Sequence, residues 1–269
     1  MIFEKTLNSH DVLHESFQIP LLENRNIEIK YNKVILSWVK DYKPDFYKEC
    51  AKIKKENFSE LNIETSVFAL IRYFFEFIFD DIQDLIKNQC FPLFNQKVLE
   101  LGSGIGFFSL IVYKALEGKI SLDLVELPVT DEENDPNCFA KKMNIKVAGM
   151  SQGSIRKKQK KTNTIDLLKE FTKINDVKCN IYTPDELRAK KNENEYDFVY
   201  SFRSYCFLYD HDIYSDYLIK NMKKNSLIIC DVAENVGQHL KFSKTFQIQR
   251  KIKNERKMWF YRNIATPKK

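Results

Sequence analysis

The chain has 269 residues, of which 43% are hydrophobic and 30% are charged; these proportions are typical of a globular protein and exclude a disordered one. The apolar stretch 67–79 contains Arg72 and Glu76 and is too short to span a bilayer. Six scattered cysteines, without a CxxC pair or a histidine cluster, argue against a zinc ribbon and indicate no disulfide framework. The first residues do not resemble a secretory signal, so we expect a cytoplasmic protein with reduced thiols.

The positive charge is concentrated in one segment. The chain has 43 basic and 37 acidic residues, a formal charge of +6, and eight of the basic residues lie between Lys141 and Lys161 with no acid among them. Such a segment can bind a phosphate backbone, an anionic membrane or a nucleotide-linked substrate. Glycine and serine interrupt it, and no aromatic residue is interleaved for base stacking. A solvated loop is the simpler interpretation, and we do not expect nucleic acid as a partner.

Residues 1–95 are predicted to form a mainly helical extension. Residues 31–39 fit a short strand or a helix, 45–58 fit a charged amphipathic helix, and 65–86 fit a long apolar helix. Along the apolar helix Arg72, Glu76 and Asp80 form one narrow polar stripe, so most of its circumference must be buried. We expect it to pack against the main domain or a second subunit, as a substrate lid or a dimerisation element. The sequence therefore leaves open whether the chain forms a homodimer.

After Pro92 short apolar runs alternate with helical segments. Strands are predicted at 97–101, 120–127, 178–182, 196–200 and 226–231, and helices at 107–116, 165–173 and 213–222. This alternation is typical of βαβ units and a parallel sheet, and the runs 246–250 and 257–264 fit a closing pair of strands. We predict one α/β domain over residues 96–269, with an insertion at about 130–177 that is longer than one crossover helix requires.

The most informative segment is a glycine-rich turn that follows the strand 97–101. Glycines stand at positions 102, 104 and 106, and a helix begins at once. Glycine lets the backbone turn tightly and approach a ligand with no Cβ in between. The dinucleotide fingerprint GxGxxG would require glycine at position 107, where this chain has Phe107. Glu100, two residues before the first glycine, suits a ligand with a cationic amino-acid end.

The spacing E-x-G-x-G-x-G after a strand resembles motif I of the class I methyltransferases that use S-adenosylmethionine (SAM). The resemblance implies a Rossmann-like fold, a mostly parallel sheet with a terminal antiparallel hairpin, SAM as cofactor and S-adenosylhomocysteine (SAH) as product. It also implies a set of cofactor-binding residues: Glu100, Gly102, Ser103, Gly104 and Gly106 in the turn, Glu126 at the end of the next strand as the ribose ligand, Asp185 beside the adenine amino group, and Ser201 after the fourth strand.

The segment after the fourth strand carries the indications about the acceptor. It lacks the Asn/Asp-Pro-Pro-aromatic tetrapeptide of enzymes that methylate exocyclic or amide nitrogens, which disfavours amino methylation. The run 201–209, Ser-Phe-Arg-Ser-Tyr-Cys-Phe-Leu-Tyr, resembles bacterial sugar O-methyltransferases, although the family's histidine is replaced here by Leu208. The resemblance implies methylation of a sugar hydroxyl on a nucleotide-linked or surface-polysaccharide precursor of a capsule or lipopolysaccharide. Its predicted substrate-binding residues are Arg203, Ser204, Tyr205 and Tyr209.

Methyl transfer from a sulfonium is an in-line displacement that needs no metal, but the acceptor hydroxyl must lose its proton. We rank His211 first and Asp231 second as the catalytic base, with Asp210 and His239 as further candidates. Three other functions remain open: methylation of another small metabolite, a phosphoryl or phosphoramidate group or a protein side chain; a SAM-binding module without catalysis; and RNA methylation through the basic segment.

Overall fold

The computed structural model describes residues 12–13, 16–21, 25–42, 44–57, 64–74, 78, 80–126, 164–191, 195–202, 204–206, 209–233, 237–253 and 260–268. The basic segment 141–161, most of the predicted insertion, Arg203 and Leu208 lie outside these residues. Within the described ranges, the helices are too short or too polar to cross a membrane.

In the described part of the N-terminal region, three strands precede four helices. Strands β1 (Val12–Leu13), β2 (Ser16–Leu21) and β3 (Arg25–Lys30) form an antiparallel sheet. The helices are α1 (Lys33–Tyr42), α2 (Pro44–Asn57), α3 (Thr65–Phe74) and α4 (Asp80–Lys87). The strand alternative for residues 31–39 is therefore wrong, since most of them lie in α1. The predicted helix 65–86 corresponds to α3 and α4, with residues 75–77 and 79 between them undescribed.

The small N-terminal sheet was not predicted by the helical reading of residues 1–95. In β3 the side chains of Ile27 and Ile29 are buried, whereas those of Asn26 and Glu28 are exposed. This alternation has the period of two that places one face of a strand against a core. The run is only six residues long and mixes charged with apolar residues. Its alternation is therefore weak evidence for a strand unless the neighbouring strand is known.

The main domain contains a seven-stranded sheet in the order β6-β5-β4-β7-β8-β10-β9. Its strands are β4 (Lys97–Leu101), β5 (Ser121–Val125), β6 (Asn180–Tyr182), β7 (Tyr196–Ser201), β8 (Met222–Ala233), β9 (Phe246–Lys253) and β10 (Phe260–Pro267). Strands β4 to β8 pair in parallel, and β10 lies antiparallel to both β8 and β9. The predicted parallel sheet with a closing antiparallel pair is confirmed.

Five further helices accompany this sheet among the residues that the structure describes. They are α5 (Phe107–Ala115), α6 (Thr164–Ile174), α7 (Pro184–Ala189), α8 (Ser215–Asn221) and α9 (Gln238–Thr245), with a short 3-10 helix at His211–Ile213. Helix α9 was not predicted from the sequence. Of its residues only Gln238 and Phe242 are buried, so it lacks the apolar stripe by which an amphipathic helix is recognised.

Aromatic contacts join the N-terminal helices to the main domain. The ring of Phe74 on α3 lies 5.6 Å from that of Phe107 on α5, which lies 4.7 Å from Phe171 on α6. All three side chains are almost completely buried in one hydrophobic cluster. The apolar helix was expected to pack against the main domain or a second subunit; the α3 part of it packs against the main domain. Because β4, β5, β7 and β8 are parallel, their carboxyl ends meet at one edge of the sheet, where ligands of such folds bind.

Candidate cofactor and acceptor site

The glycine-rich turn is attached to the end of the neighbouring strand. The amide N–H groups of Gly102 and Ser103 both donate to the carbonyl oxygen of Val125, at 2.9 and 3.0 Å. Gly104 has a φ of +56°, and a Cβ added there would meet no atom within 4 Å. The turn is thus fixed by β5 on one side and leaves open space at Gly104, where a ligand can approach the backbone.

The other two glycines let the protein pack closely on itself. A Cβ at Gly102 would lie 1.9 Å from the hydroxyl oxygen of Ser204, and one at Gly106 would lie 2.6 Å from Cδ1 of Leu168 on α6. Ser204, a predicted substrate-binding residue, therefore lies directly against the turn. The structure brings the loop after β7 and the glycine turn together, so the predicted cofactor and acceptor sides adjoin.

Glu126 lies where the sequence places it, immediately after β5. Its Oε2 accepts a hydrogen bond of 2.6 Å from the amide of Gly104, and its own amide donates to the carbonyl of Tyr182. The half-buried carboxylate is thus held beside the open part of the turn. Its role as the ribose ligand remains a prediction.

We expect Glu126→Ala to weaken SAM binding by about 1–3 kcal/mol, the usual loss for a hydrogen bond to a charged group. The measurement is a calorimetric titration of both proteins with SAM. Asp176→Ala is a suitable control, because that carboxylate is exposed and forms an ion pair with Lys30 at the surface. An unchanged affinity in Glu126→Ala would remove the ribose role.

Glu100 is buried beneath the turn. Its carboxylate accepts a short hydrogen bond from the hydroxyl of Ser109, and that hydroxyl oxygen lies 2.8 Å from the phenol oxygen of Tyr200. Burial raises the pKa of Glu100 to about 8, the Ser109 hydrogen bond opposes this rise, and the charge of Glu126 adds to it. At neutral pH the side chain is therefore mostly protonated. Its predicted role beside a cationic ligand group, by contrast, calls for the charged carboxylate.

Asp185 and Ser201, the remaining predicted cofactor ligands, have different surroundings. Asp185 lies in the first turn of α7, is exposed, and forms an ion pair with Arg188. Ser201 is fully buried; its hydroxyl donates to the carbonyl of Leu101 at 2.8 Å and accepts from the amide of Tyr205 at 3.0 Å. Ser201 therefore links the ends of β4 and β7 and positions the following loop. Neither contact tests the predicted ligand roles.

His211 is enclosed by aromatic rings. It is 3% exposed, stacks on Tyr205, and makes edge contacts with Phe242 and Phe246. Burial lowers the pKa of His211, against the opposing effect of Asp212, so the ring is neutral at pH 7. Its Nε2 is buried and has no hydrogen-bond partner among the described residues. The predicted base has the correct protonation state, but in this conformation an acceptor does not reach it.

Helix α9 holds the segment that carries His211. The side-chain oxygen of Gln238 accepts from the amide of His211 at 2.8 Å, and its nitrogen donates to Asp210 at 3.2 Å. Lys241 forms ion pairs with Asp210 and Asp212 at 2.8 and 2.6 Å. The predicted substrate residue Tyr209 precedes this segment and is half-buried. The contribution of Gln238 was missed by sequence reasoning because α9 itself was missed.

Asp231, the second predicted base, is held in a buried ion cluster. Arg262 on β10 donates to both of its oxygens, at 2.9 and 3.3 Å, and to Asp81 on α4 at 2.7 Å. Burial disfavours the charged guanidinium, but Asp231 and Asp81 outweigh this and raise the pKa of Arg262. A carboxylate bound in this way is a poor proton acceptor, because protonation would leave the buried cation with one counter-charge fewer.

Arg262 is the important residue that sequence reasoning overlooked. Its guanidinium lies 4.4 Å from the ring centroid of Phe202, which follows Ser201 at the carboxyl edge of the sheet. The available signal was an arginine within the largely apolar run of β10, since buried arginines require acidic partners. The partner Asp81 is 181 residues away in the sequence, so that signal could not identify it.

The strand order, with five parallel strands and an antiparallel hairpin at the end, is the Rossmann-like arrangement that the sequence predicts. Neither a protein-family model nor a curated sequence matches the chain. Similar solved structures include a SAM-dependent methyltransferase from Aquifex aeolicus (TM-score 0.47, 14% identity, covering 70% of this chain and 90% of that chain). A protein from Pyrococcus horikoshii gives a TM-score of 0.47 and 12% identity, with coverages of 70% and 90%. One from Haemophilus influenzae, described as a methylase, gives 0.46 and 13%, with coverages of 70% and 98%.

Proposed function

We propose that the chain is a SAM-dependent methyltransferase that binds SAM across the glycine turn. The observation that carries this proposal is the open backbone at Gly104 together with the Glu126 carboxylate, which lies 2.6 Å from the Gly104 amide. A bound SAM would supply a methyl group on a sulfonium. The turn 102–106 and Glu126 fit the methionine and ribose portions, and Asp185 is the proposed partner of the adenine amino group.

The proposed acceptor is a hydroxyl of a sugar, on a nucleotide-linked or surface-polysaccharide precursor. Support comes from the resemblance of the run 201–209 to sugar O-methyltransferases and from the absence of the tetrapeptide that holds amino groups. Ser204 adjoins Gly102, so an acceptor contacting this loop would lie beside the cofactor. Arg203 is proposed to bind a phosphate, carboxylate or hydroxyl group of the acceptor, as a guanidinium can do.

The chain's own part in the reaction is to align the acceptor and accept its proton. We propose His211 as that base, since its ring is neutral at pH 7. For His211 to reach an acceptor, the segment 209–213 must move away from α9, to which Gln238 and Lys241 attach it. Asp231 is the weaker proposal, because its carboxylate already accepts both hydrogen bonds from Arg262.

We expect His211→Phe to lower the rate of methyl transfer by about 100-fold or more, the usual contribution of a general base, with SAM affinity unchanged. Phenylalanine preserves an aromatic ring between Tyr205 and Phe246, so the fold should survive the change. The readout is the rate of SAH formation with an active acceptor. His239→Phe serves as the comparison; an inactive His239 variant and an active His211 variant would transfer the role to His239.

A SAM-binding module without catalysis is the second candidate. The enclosure of His211 and the engagement of Asp231 by Arg262 favour it. Binding of SAM without SAH formation on a panel of nucleotide sugars, phosphorylated metabolites and RNA would support this alternative.

Titration of the purified chain with SAM and, separately, with NADH tests the central proposal. We expect micromolar binding of SAM and none of NADH. Transfer of a labelled methyl group from SAM to nucleotide sugars then tests the acceptor class. RNA methylation instead predicts binding to RNA that weakens steeply with salt. A chain that does not bind SAM would retain the fold but not the proposed function.

A further inference from the structure

We propose that SAM binding to this chain expels a proton from the buried Glu100 carboxyl group into solution, so that cofactor affinity rises with pH across the neutral range. The inference rests on the proposed function, since it concerns the same site. It adds a regulatory property: the protein accepts a cationic cofactor by ionising one of its own side chains.

The geometry of Glu100 explains why the proton is present before SAM arrives. The residue is 5% exposed, and its carboxylate accepts a hydrogen bond from Ser109. No lysine or arginine forms an ion pair with it within the described part of the chain. A carboxylate removed from water and lacking a cationic partner is costly, and the neutral acid is the favoured form.

The groups that face Glu100 from the surrounding elements act on this state in both directions. They are Ser109 on α5, Tyr200 on β7, Ser103 in the glycine turn, Cys179 before β6 and Glu126 after β5. Ser109 and Ser103 stabilise the anion by hydrogen bonds, whereas the negative charge of Glu126 disfavours it. Burial has the largest effect and raises the pKa of Glu100 to about 8.

A bound SAM changes this balance by electrostatics alone. SAM carries a sulfonium and an ammonium group against one carboxylate, and Glu100 lies directly beneath the turn that receives it. Positive charge in a weakly solvated site stabilises a nearby carboxylate, so Glu100 releases its proton as SAM binds. SAH lacks the sulfonium charge and should release fewer protons, which makes the preference for SAM over SAH larger at higher pH.

The test is calorimetric titration with SAM at about pH 6.5 in several buffers of different ionisation enthalpy. The slope of the observed enthalpy against the buffer enthalpy gives the number of protons released. We expect roughly 0.5–1 proton for the native chain, and an affinity that rises up to about tenfold per pH unit between about pH 6 and 7.5. The SAM amine itself titrates near a pKa of about 8, so the native chain must be compared with variants.

Glu100→Gln keeps the shape of the neutral acid and should bind SAM without releasing a proton at pH 6.5. Ser109→Ala removes a hydrogen bond to the anion, so the rise in affinity should move to higher pH. Asp176→Asn is the matched control, because this carboxylate is exposed and forms an ion pair with Lys30 at the surface; its proton release should equal that of the native chain.

The outcomes distinguish this inference from the proposed function. SAM binding with a heat that is independent of the buffer would overturn the proton release and leave the cofactor assignment standing. Equal proton release by the native chain and Glu100→Gln would also overturn it, since the proton would come from another group. A native chain that does not bind SAM would overturn both.

Discussion

Arg262→Met is expected to lower the free energy of unfolding by about 3–5 kcal/mol, the usual cost of removing one partner from a buried ion pair. Arg262 is 3% exposed, and both carboxylates that it binds are buried, Asp81 on α4 and Asp231 on β8. Without the guanidinium, each carboxylate must either remain charged in the interior or take up a proton. Urea unfolding of the two proteins, followed by circular dichroism, measures the difference.

Asp81→Asn is the matched comparison and should cost much less. Arg262 would keep both hydrogen bonds to Asp231, and the remaining pair would be electrically neutral. In Arg262→Met, by contrast, two like charges remain in the interior. The expected order of stability is native, then Asp81→Asn, then Arg262→Met. A loss in Asp81→Asn as large as that in Arg262→Met would contradict the view that excess negative charge dominates the cost.

The ion cluster also connects the N-terminal extension to the predicted acceptor side. Asp81 belongs to α4, and Arg262 lies over the ring of Phe202 at the edge where β7 ends. Phe202 in turn contacts Phe108 on α5, at 4.6 Å between ring centroids. Arg262→Met should therefore disturb the packing of Phe202 as well as lower the stability of the chain.

Gly104→Ala is expected to weaken SAM binding by about 100-fold, or roughly 3 kcal/mol, while leaving the chain folded. The new Cβ would meet no protein atom within 4 Å, so it would occupy the space in which the cofactor approaches the turn. Alanine at a φ of +56° costs about 1–2 kcal/mol of stability. Calorimetric titration with SAM and thermal unfolding separate the two effects.

Gly237→Ala provides a control for the backbone cost. Gly237 has a φ of +75°, a Cβ there would likewise meet no atom within 4 Å, and it lies at the start of α9 rather than in the glycine turn. Both variants should lose similar stability, but only Gly104→Ala should lose SAM affinity. Native affinity in Gly104→Ala would remove the turn from the cofactor site.

Much of the main domain could be predicted because its signals are local. The strand 97–101 was predicted with the bounds that the structure has, since a short apolar run before glycines has few alternatives. The turn itself and Glu126 at the end of the next strand follow from the same βαβ spacing. Prediction of the parallel sheet with its closing hairpin required only the order of the strands and helices along the chain, which the sequence pattern supplies.

The sequence by itself therefore determined the class of fold, the position of the glycine turn and the carboxylate beside it. Only the tertiary structure decided the surroundings of the candidate bases: His211 lies among Tyr205, Phe242 and Phe246, and Asp231 is bound by Arg262. It also decided that Glu100 is buried, with no lysine or arginine of the described residues paired to it. The physical reason is that strand period and turn geometry depend on neighbours in the chain, whereas burial, ion pairing and pKa depend on groups as far apart as Asp81 and Arg262.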